Sequence, residues 1–236
     1  MTFLVSSHIM KLTIAESFLV LIHHPEKARY IVDGNVRNAG LIGSIFLDLS
    51  LDENIITEDG YLIVKSFQTK LPGLYKKILD KMSNSPRKRK PKVWISRFSQ
   101  RSNKPRRELL DSLEKKGIVD IEHKVFLVFP YIRSRLLKQD LRNQMISDLR
   151  DIIFKNKEID PHSASLLGLI QACKMHKVVC NDKAELKQSR LKIKEIIESD
   201  LITQGVSTVI QEMQAAMMAA IIASTAATTA ASAASH

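Results

Sequence analysis

Between Asp80 and Glu108 the chain carries eleven Lys and Arg and no acid: Lys81, Arg87, Lys88, Arg89, Lys90, Lys92, Arg97, Arg101, Lys104, Arg106 and Arg107. Guanidinium and ammonium groups at this density do one kind of chemistry well, holding phosphate oxygens through charge-assisted hydrogen bonds. The chain has 36 basic and 25 acidic residues, a net of +11, so this window holds the entire surplus and the rest sums to zero. Trp94, the single tryptophan, lies inside it with Phe98 one helical turn on. Such an aromatic pair on one helix face suits the headgroup layer of a bilayer.

A second group with ligand chemistry is Cys173, His176 and Cys180 in "CKMHKVVC", spaced for one face of a helix. A zinc site needs a further ligand and none stands nearby, so the expectation is apolar packing, with no metal and no other cofactor. His23-His24 before Pro25 reads as a helix end where the imidazoles meet the dipole. Asp160-Pro161-His162 reads as a helix start with Asp160 as its cap. Gly-rich phosphate loops, nucleophile elbows and HExxH patterns are missing from the sequence. The chemistry is that of binding rather than catalysis, and the chain reads as not an enzyme.

The elements that position these residues are mostly helices. "LTIAESFLVLI" has helical apolar spacing, with Thr13 as N-cap, Glu16 completing a capping box and Pro25 stopping it. "NAGLIGSIFLDLSLDENI" is a second helix, and "IITEDGYLIVKS" is a hairpin turning at Asp59-Gly60. "LPGLYKKILDKM" starts a short helix after Pro72, "KVWISRF" gives about two turns of helix, and "RRELLDSLEKKG" is an amphipathic helix ending at Gly117. "IVDIEHKVFLVFPYI" is strand-like, and helices follow over 135–155, 161–180, 183–199 and from 203 onward. The expected fold is mainly α: a single helical domain over 1–222 with one or two small β-hairpins, and an Ala/Ser/Thr-rich tail over 223–236.

Composition excludes several classes. Hydrophobic residues at 44% with 26% charged describe a chain that builds a core, not a disordered one. Two cysteines exclude a disulfide framework and fit a reducing cytoplasm. The N-terminal segment has no basic leader region, and Lys11 and Glu16 interrupt its apolar runs, which argues against a secretory signal. From Met213 to Ser235 there is no charge, but Ala, Ser and Thr contribute little to membrane insertion. The expectation there is a buried helix followed by a frayed tail.

Several of these pieces, in this order, resemble the Golgi phosphoprotein 3 family of peripheral membrane proteins. They are "LTIAESFLVL", "AGLIGSIFLDLSLDENI", "LEKKGIV" followed by "FLVFPYI", "DPHSASLLGLIQAC" and "VIQEMQAAMMAA". The Ala-rich ending is more similar to the bacterial branch. The resemblance implies a core helix bundle wrapped by further helices, with one exposed apolar hairpin for membrane contact or self-association. It also implies a basic pocket for phosphatidylinositol 4-phosphate and, in eukaryotic members, an adaptor role that retains glycosyltransferases. The pocket's Trp and first Arg fall on Asp33 and Ile42 here, and two further arginines on Asn103 and Arg106, of which only Arg106 matches. Lys104 and Arg107 flank it and supply equivalent charge, and Phe126, Leu127, Val128 and Phe129 keep the hairpin apolar.

Three readings of the basic window compete. Near an anionic leaflet each Lys or Arg is worth about 1 kcal/mol, so half the window gives on the order of 5 kcal/mol, which is weak binding. Burying Phe or Leu side chains adds about 1.5–3 kcal/mol each, so the 126–129 run makes a useful second contact. A nucleic-acid reading fits the charge and the "RKRK" run, yet no recognition helix, RNP strand or zinc-finger spacing accompanies it. A protein-interaction adaptor is the third reading, and a plain solvated loop the bland one. The leading expectation is a cytoplasmic, peripherally membrane-associated protein that binds an anionic, phosphoinositide-like lipid. In it Arg106, Arg107, Lys104 and Arg97 contact headgroup phosphates and Trp94 sits at the interface. The 122–133 hairpin inserts or pairs with a second copy, protein clients are further partners, and nucleic acid is not expected.

Overall fold

In a computed structural model that describes residues 12–126, 129–199 and 204–233, the first helix begins where its capping chemistry puts it. Thr13 Oγ1 accepts the Glu16 N–H at 3.1 Å and the Glu16 carboxylate accepts the Thr13 N–H at 3.0 Å, opening α1 (Ile14–Ile22). Every residue of α1 is buried. Asp33 caps α2 (Gly34–Leu51), in which all residues from Ala39 to Leu49 are buried. A helix buried on all sides has to be covered on all sides. Its covers are α1, α4 (Pro91–Ser99), α7 (Pro161–Ala172) and α9 (Gln204–Ala233). Glycines let these helices approach: a Cβ added at Gly40 would overlap Phe18 and Cys173, one at Gly43 would overlap Met217, and one at Gly168 would overlap Ile210.

Around this bundle lie α3 (Gly73–Ser83), α5 (Asn103–Lys115), α6 (Gln139–Lys155) and α8 (Lys183–Glu198), with two antiparallel hairpins. The first joins β1 (Ile55–Glu58) to β2 (Tyr61–Val64) through Asp59 and Gly60, whose φ values of 51° and 74° make the primed turn that Asp-Gly favours. The second pairs β3 (Val119–Phe126) with β4 (Phe129–Leu136) from Val119↔Leu136 to Phe126↔Phe129. The fold is mainly α, as expected, with the hairpins where the strand patterns lie.

Three expectations need correction. The helix read over 161–180 ends at Ala172: Lys174 turns left-handed at φ 53°, and a 3₁₀ turn, His176–Val178, follows. The segment read as helical from 135 is still strand to Leu136, and α6 starts at Gln139. The tail expected to fray continues α9 to Ala233, in keeping with alanine's helix propensity. Over Thr208–Ala227 this helix is long and apolar enough by composition to cross a membrane, yet Ile210, Met213 and Met217 are sealed in the core.

Asp48 ties the bundle together from inside. Its carboxylate accepts the Ile14 and Ala15 N–H groups at 2.7 and 3.0 Å and the Tyr75 hydroxyl at 2.7 Å, joining α2 to the start of α1 and to α3. Burial pushes its pKa up from 3.8 to about 6 against the pull of those donors. The native state therefore holds this proton more tightly than the unfolded chain. Asp48's own contribution to stability is full below pH 3.8 and is lost as pH rises through about 6. In urea titrations, the destabilisation caused by Asp48→Asn should shrink as pH rises across that window; a gap that widens with pH would contradict this. Gly43→Ala should cost about 1–3 kcal/mol in the same assay, the usual penalty for overpacking a core.

Candidate anion-binding surface

The basic window folds into the end of α3, a loop, α4 and the start of α5. Trp94, Ile95 and Phe98 share the inward face of α4. Trp94 is 5% exposed; its ring stacks on Phe98 at 5.6 Å, and Phe98 meets the edge of Phe46 of α2 at 5.9 Å. Trp94 therefore does not reach a bilayer interface. Its apolar spacing serves the core, and what it offers outward is one wall of a cleft. Arg97, on the same helix, is exposed.

The loop before α4 runs along the first hairpin, where the Leu62 N–H donates to the Arg89 carbonyl at 3.0 Å. Lys88 reaches Glu58 at 4.0 Å, and the Arg89 guanidinium lies 5.8 Å from the Trp94 ring centroid. Part of the "RKRK" charge is thus engaged locally.

At the start of α5, Lys104 and Arg107 are exposed and Arg106 is half-buried. Lys116, past the helix end, donates to Glu16 at 2.6 Å, and Ser112 donates to the same carboxylate at 2.7 Å, fixing α5 against α1. Arg106 is the one pocket position at which the resemblance keeps its residue, and its Nε is buried without a hydrogen-bond partner. Ile42, at the first arginine position, is sealed in the core and cannot touch a ligand. Asp33, at the tryptophan position, spends its carboxylate on the Asn35 and Val36 N–H groups.

Arg37, which the sequence reading missed, stands one turn beyond Asp33 and brings a cation to the same helix end. Burial, and next the charge of Arg106, lower its pKa, so the two guanidiniums feel each other. The Asp33 carboxylate acts on Arg37 in the opposite sense, and neither arginine has an ion-pair partner among the described residues. Arg37 lies over the Tyr30 ring, 5.1 Å from its centroid, and its Nε donates to Asn38 Oδ1 at 3.3 Å.

Tyr30 connects this pair to the second hairpin. Leu19's carbonyl, at 2.6 Å from His23 Nδ1, can only accept, so His23 carries its proton there and Nε2 accepts from Ser134 Oγ at 2.8 Å. Ser134 Oγ in turn accepts the Tyr30 hydroxyl at 3.1 Å. Burial lowers the His23 pKa to about 4, helped by Arg142, so this residue is a neutral latch and not the cationic helix-dipole partner expected. Toward the hairpin tip, Val125 is 69% exposed and Tyr131 38%, with Arg133 over the Tyr131 ring at 5.8 Å. Leu127 and Val128, and the side chains of Phe126 and Phe129, lie outside the described residues.

Cys173, His176 and Cys180 do not converge, because the helix expected to align them has ended. Cys173 is buried against α2 with its thiol pushed up to about 12 by burial, His176 Nε2 bonds Gln171 Oε1 at 2.7 Å, and Cys180 bonds Ser189 at 3.1 Å. Among the described residues no cluster of three or more His, Cys, Asp or Glu is placed to hold a metal.

The described residues form a mainly helical bundle with cationic side chains at the starts of α2 and α5 and on α4. The chain belongs to the Golgi phosphoprotein 3 (GPP34) family, whose sequence pattern matches residues 14–213, from the first residue of α1 into α9. No curated protein matches it. The family is not one of known enzymes, and membership suggests a Golgi- or membrane-associated role in binding lipid or protein.

Removing the Tyr30 hydroxyl with Tyr30→Phe should deprotect the β4 amides around Ser134 in hydrogen exchange by about fivefold, the worth of one neutral hydrogen bond. His23's contribution is full above pH 6.5 and lost as pH falls toward about 4, so wild-type protection there should fall over that range. Protection indifferent to both changes would show that the latch is not formed.

Proposed function

We propose that this chain is a non-enzymatic peripheral membrane protein that holds anionic lipid headgroups on the cytoplasmic side. The family suggests phosphatidylinositol 4-phosphate, and where a host lacks it another anionic phospholipid takes its place. Arg106 and Arg37 are the central donors, with Lys104 and Arg107 lending charge from the start of α5. The β3–β4 hairpin supplies apolar contact, and protein clients are secondary partners.

One observation carries the reading: two half-buried guanidiniums sit within each other's field, without an acid partner, and one keeps an unfilled donor. Like charges held together in a partly dry site raise each other's free energy, and a phosphate oxygen placed between them relieves it. The exposed apolar side chains toward the hairpin tip favour a second use of the same element, pairing with another copy of the chain.

Flotation of the full chain with phosphatidylcholine vesicles, alone or containing phosphatidylserine or phosphatidylinositol 4-phosphate, tests this. Binding should appear only with the anionic vesicles. With each arginine near the surface worth about 1 kcal/mol, Arg37→Ala/Arg106→Ala should weaken it about thirtyfold. Equal binding to neutral vesicles would sink the proposal, and salt-steep binding to duplex DNA with none to vesicles would assign the charge to nucleic acid.

A further inference from the structure

A second cationic feature lies on α4, apart from the Arg37–Arg106 pair. A cleft of about 460 Å³ is lined by Lys81 at the end of α3, by Trp94, Arg97 and Phe98 of α4, and by Gln100 and Arg101 in the turn that follows. We infer that this cleft is a separate anion site that takes a compact phosphomonoester, whether carried on a lipid or free in solution.

Every polar side chain lining the cleft offers donors and none is an acid. Lys81, Arg97 and Arg101 come from different segments, are all exposed, and make no ion pair among the described residues. Lys77, one turn before Lys81, is already paired with Glu108, so acids are within reach of this surface and do not line the cleft. Gln100 adds an amide.

Trp94 forms the aromatic wall of the cleft, its ring stacked on Phe98 and its indole Nε1 buried with no hydrogen-bond partner. The aromatic wall excludes water from one side of the cleft, which strengthens each charge–charge contact made there. Three cations around a small cleft fit a dianionic phosphate better than the single charge of a phosphodiester. Arg37 and Arg106 line no part of it. The inference therefore goes beyond the headgroup reading and stands or falls separately.

Trp94 is also the only tryptophan, so the full chain carries its own reporter in the cleft wall. The test is a titration of Trp94 fluorescence with inorganic phosphate and with phosphatidylcholine vesicles containing phosphatidic acid or phosphatidylserine. The expected result is a saturable change with the phosphomonoester probes. Arg97→Ala and Lys81→Ala/Arg101→Ala, which remove exposed side chains, should weaken it about tenfold or more, the worth of a lost charge-assisted contact. A response to vesicles alone identifies the phosphate as a lipid's, and an equal response to inorganic phosphate identifies it as a soluble one. The inference is overturned by an absent or unsaturable change, or by one insensitive to these variants. It is equally overturned if Arg37→Ala/Arg106→Ala abolishes the inorganic-phosphate response, or if duplex DNA elicits a tighter response than any phosphomonoester. Flotation lost in Arg37→Ala/Arg106→Ala with the phosphate titration intact separates the two sites.

Discussion

A helix that is buried along eleven consecutive residues, Ala39 to Leu49, leaves the rest of the molecule little choice. Four other helices have to close around α2, and glycines at 40, 43 and 168 allow them to come close enough. Asp48 is accepted into that interior because three donors from α1 and α3 meet it, as the still more buried Glu16 is accepted where Thr13, Ser112 and Lys116 meet it. Among the described residues the charges in this core, Asp48, Glu16 and Arg142, are each hydrogen-bonded, and the surplus of lysine and arginine lies at the ends and edges of the helices.

Those edges are not equivalent. At the start of α2 and α5, Arg37 and Arg106 are held by their helices rather than by acids, and Tyr30 beneath Arg37 is fixed through Ser134 and His23 to the second hairpin. Any ligand that draws Arg37 outward acts on the ring stacked under it, and so on the base of β4. The neutral state of His23 is what permits that chain of hydrogen bonds, since a proton on Nε2 would remove the acceptor that Ser134 needs. Family membership suggests a Golgi- or membrane-associated role in binding lipid or protein, and the proposed receptor rests on this geometry.

Much of the architecture was legible because its signals are local. A capping box at Thr13 and Glu16, an Asp-Gly turn at 59–60 and a capping Asp160 each depend on a few neighbouring residues, and each formed. What was misread depends on contacts distant in sequence. Trp94 was judged by the cations beside it, although its spacing from Ile95 and Phe98 is that of a buried helix face. Lys174 carries no glycine signal, yet it adopts a left-handed turn that ends α7 and separates Cys173, His176 and Cys180. Arg37 lies far from the basic window and meets Arg106 only through the fold, so composition could not have found it. Of the site expected from the sequence, Arg106 is half-buried at the start of α5, Arg97 lines a cleft that Arg106 does not, and Trp94 is buried in that cleft's wall.

The central claim is that Arg37 and Arg106, neither of them in an ion pair among the described residues, act together as one anion receptor. Side-chain NMR of the arginine Nε–H groups, recorded on the full chain with neutral and then anionic nanodiscs, addresses it most directly. Coincident, saturable shifts of the Arg37 and Arg106 signals with anionic discs alone are the predicted result. Binding to those discs that leaves both signals unmoved would contradict the account.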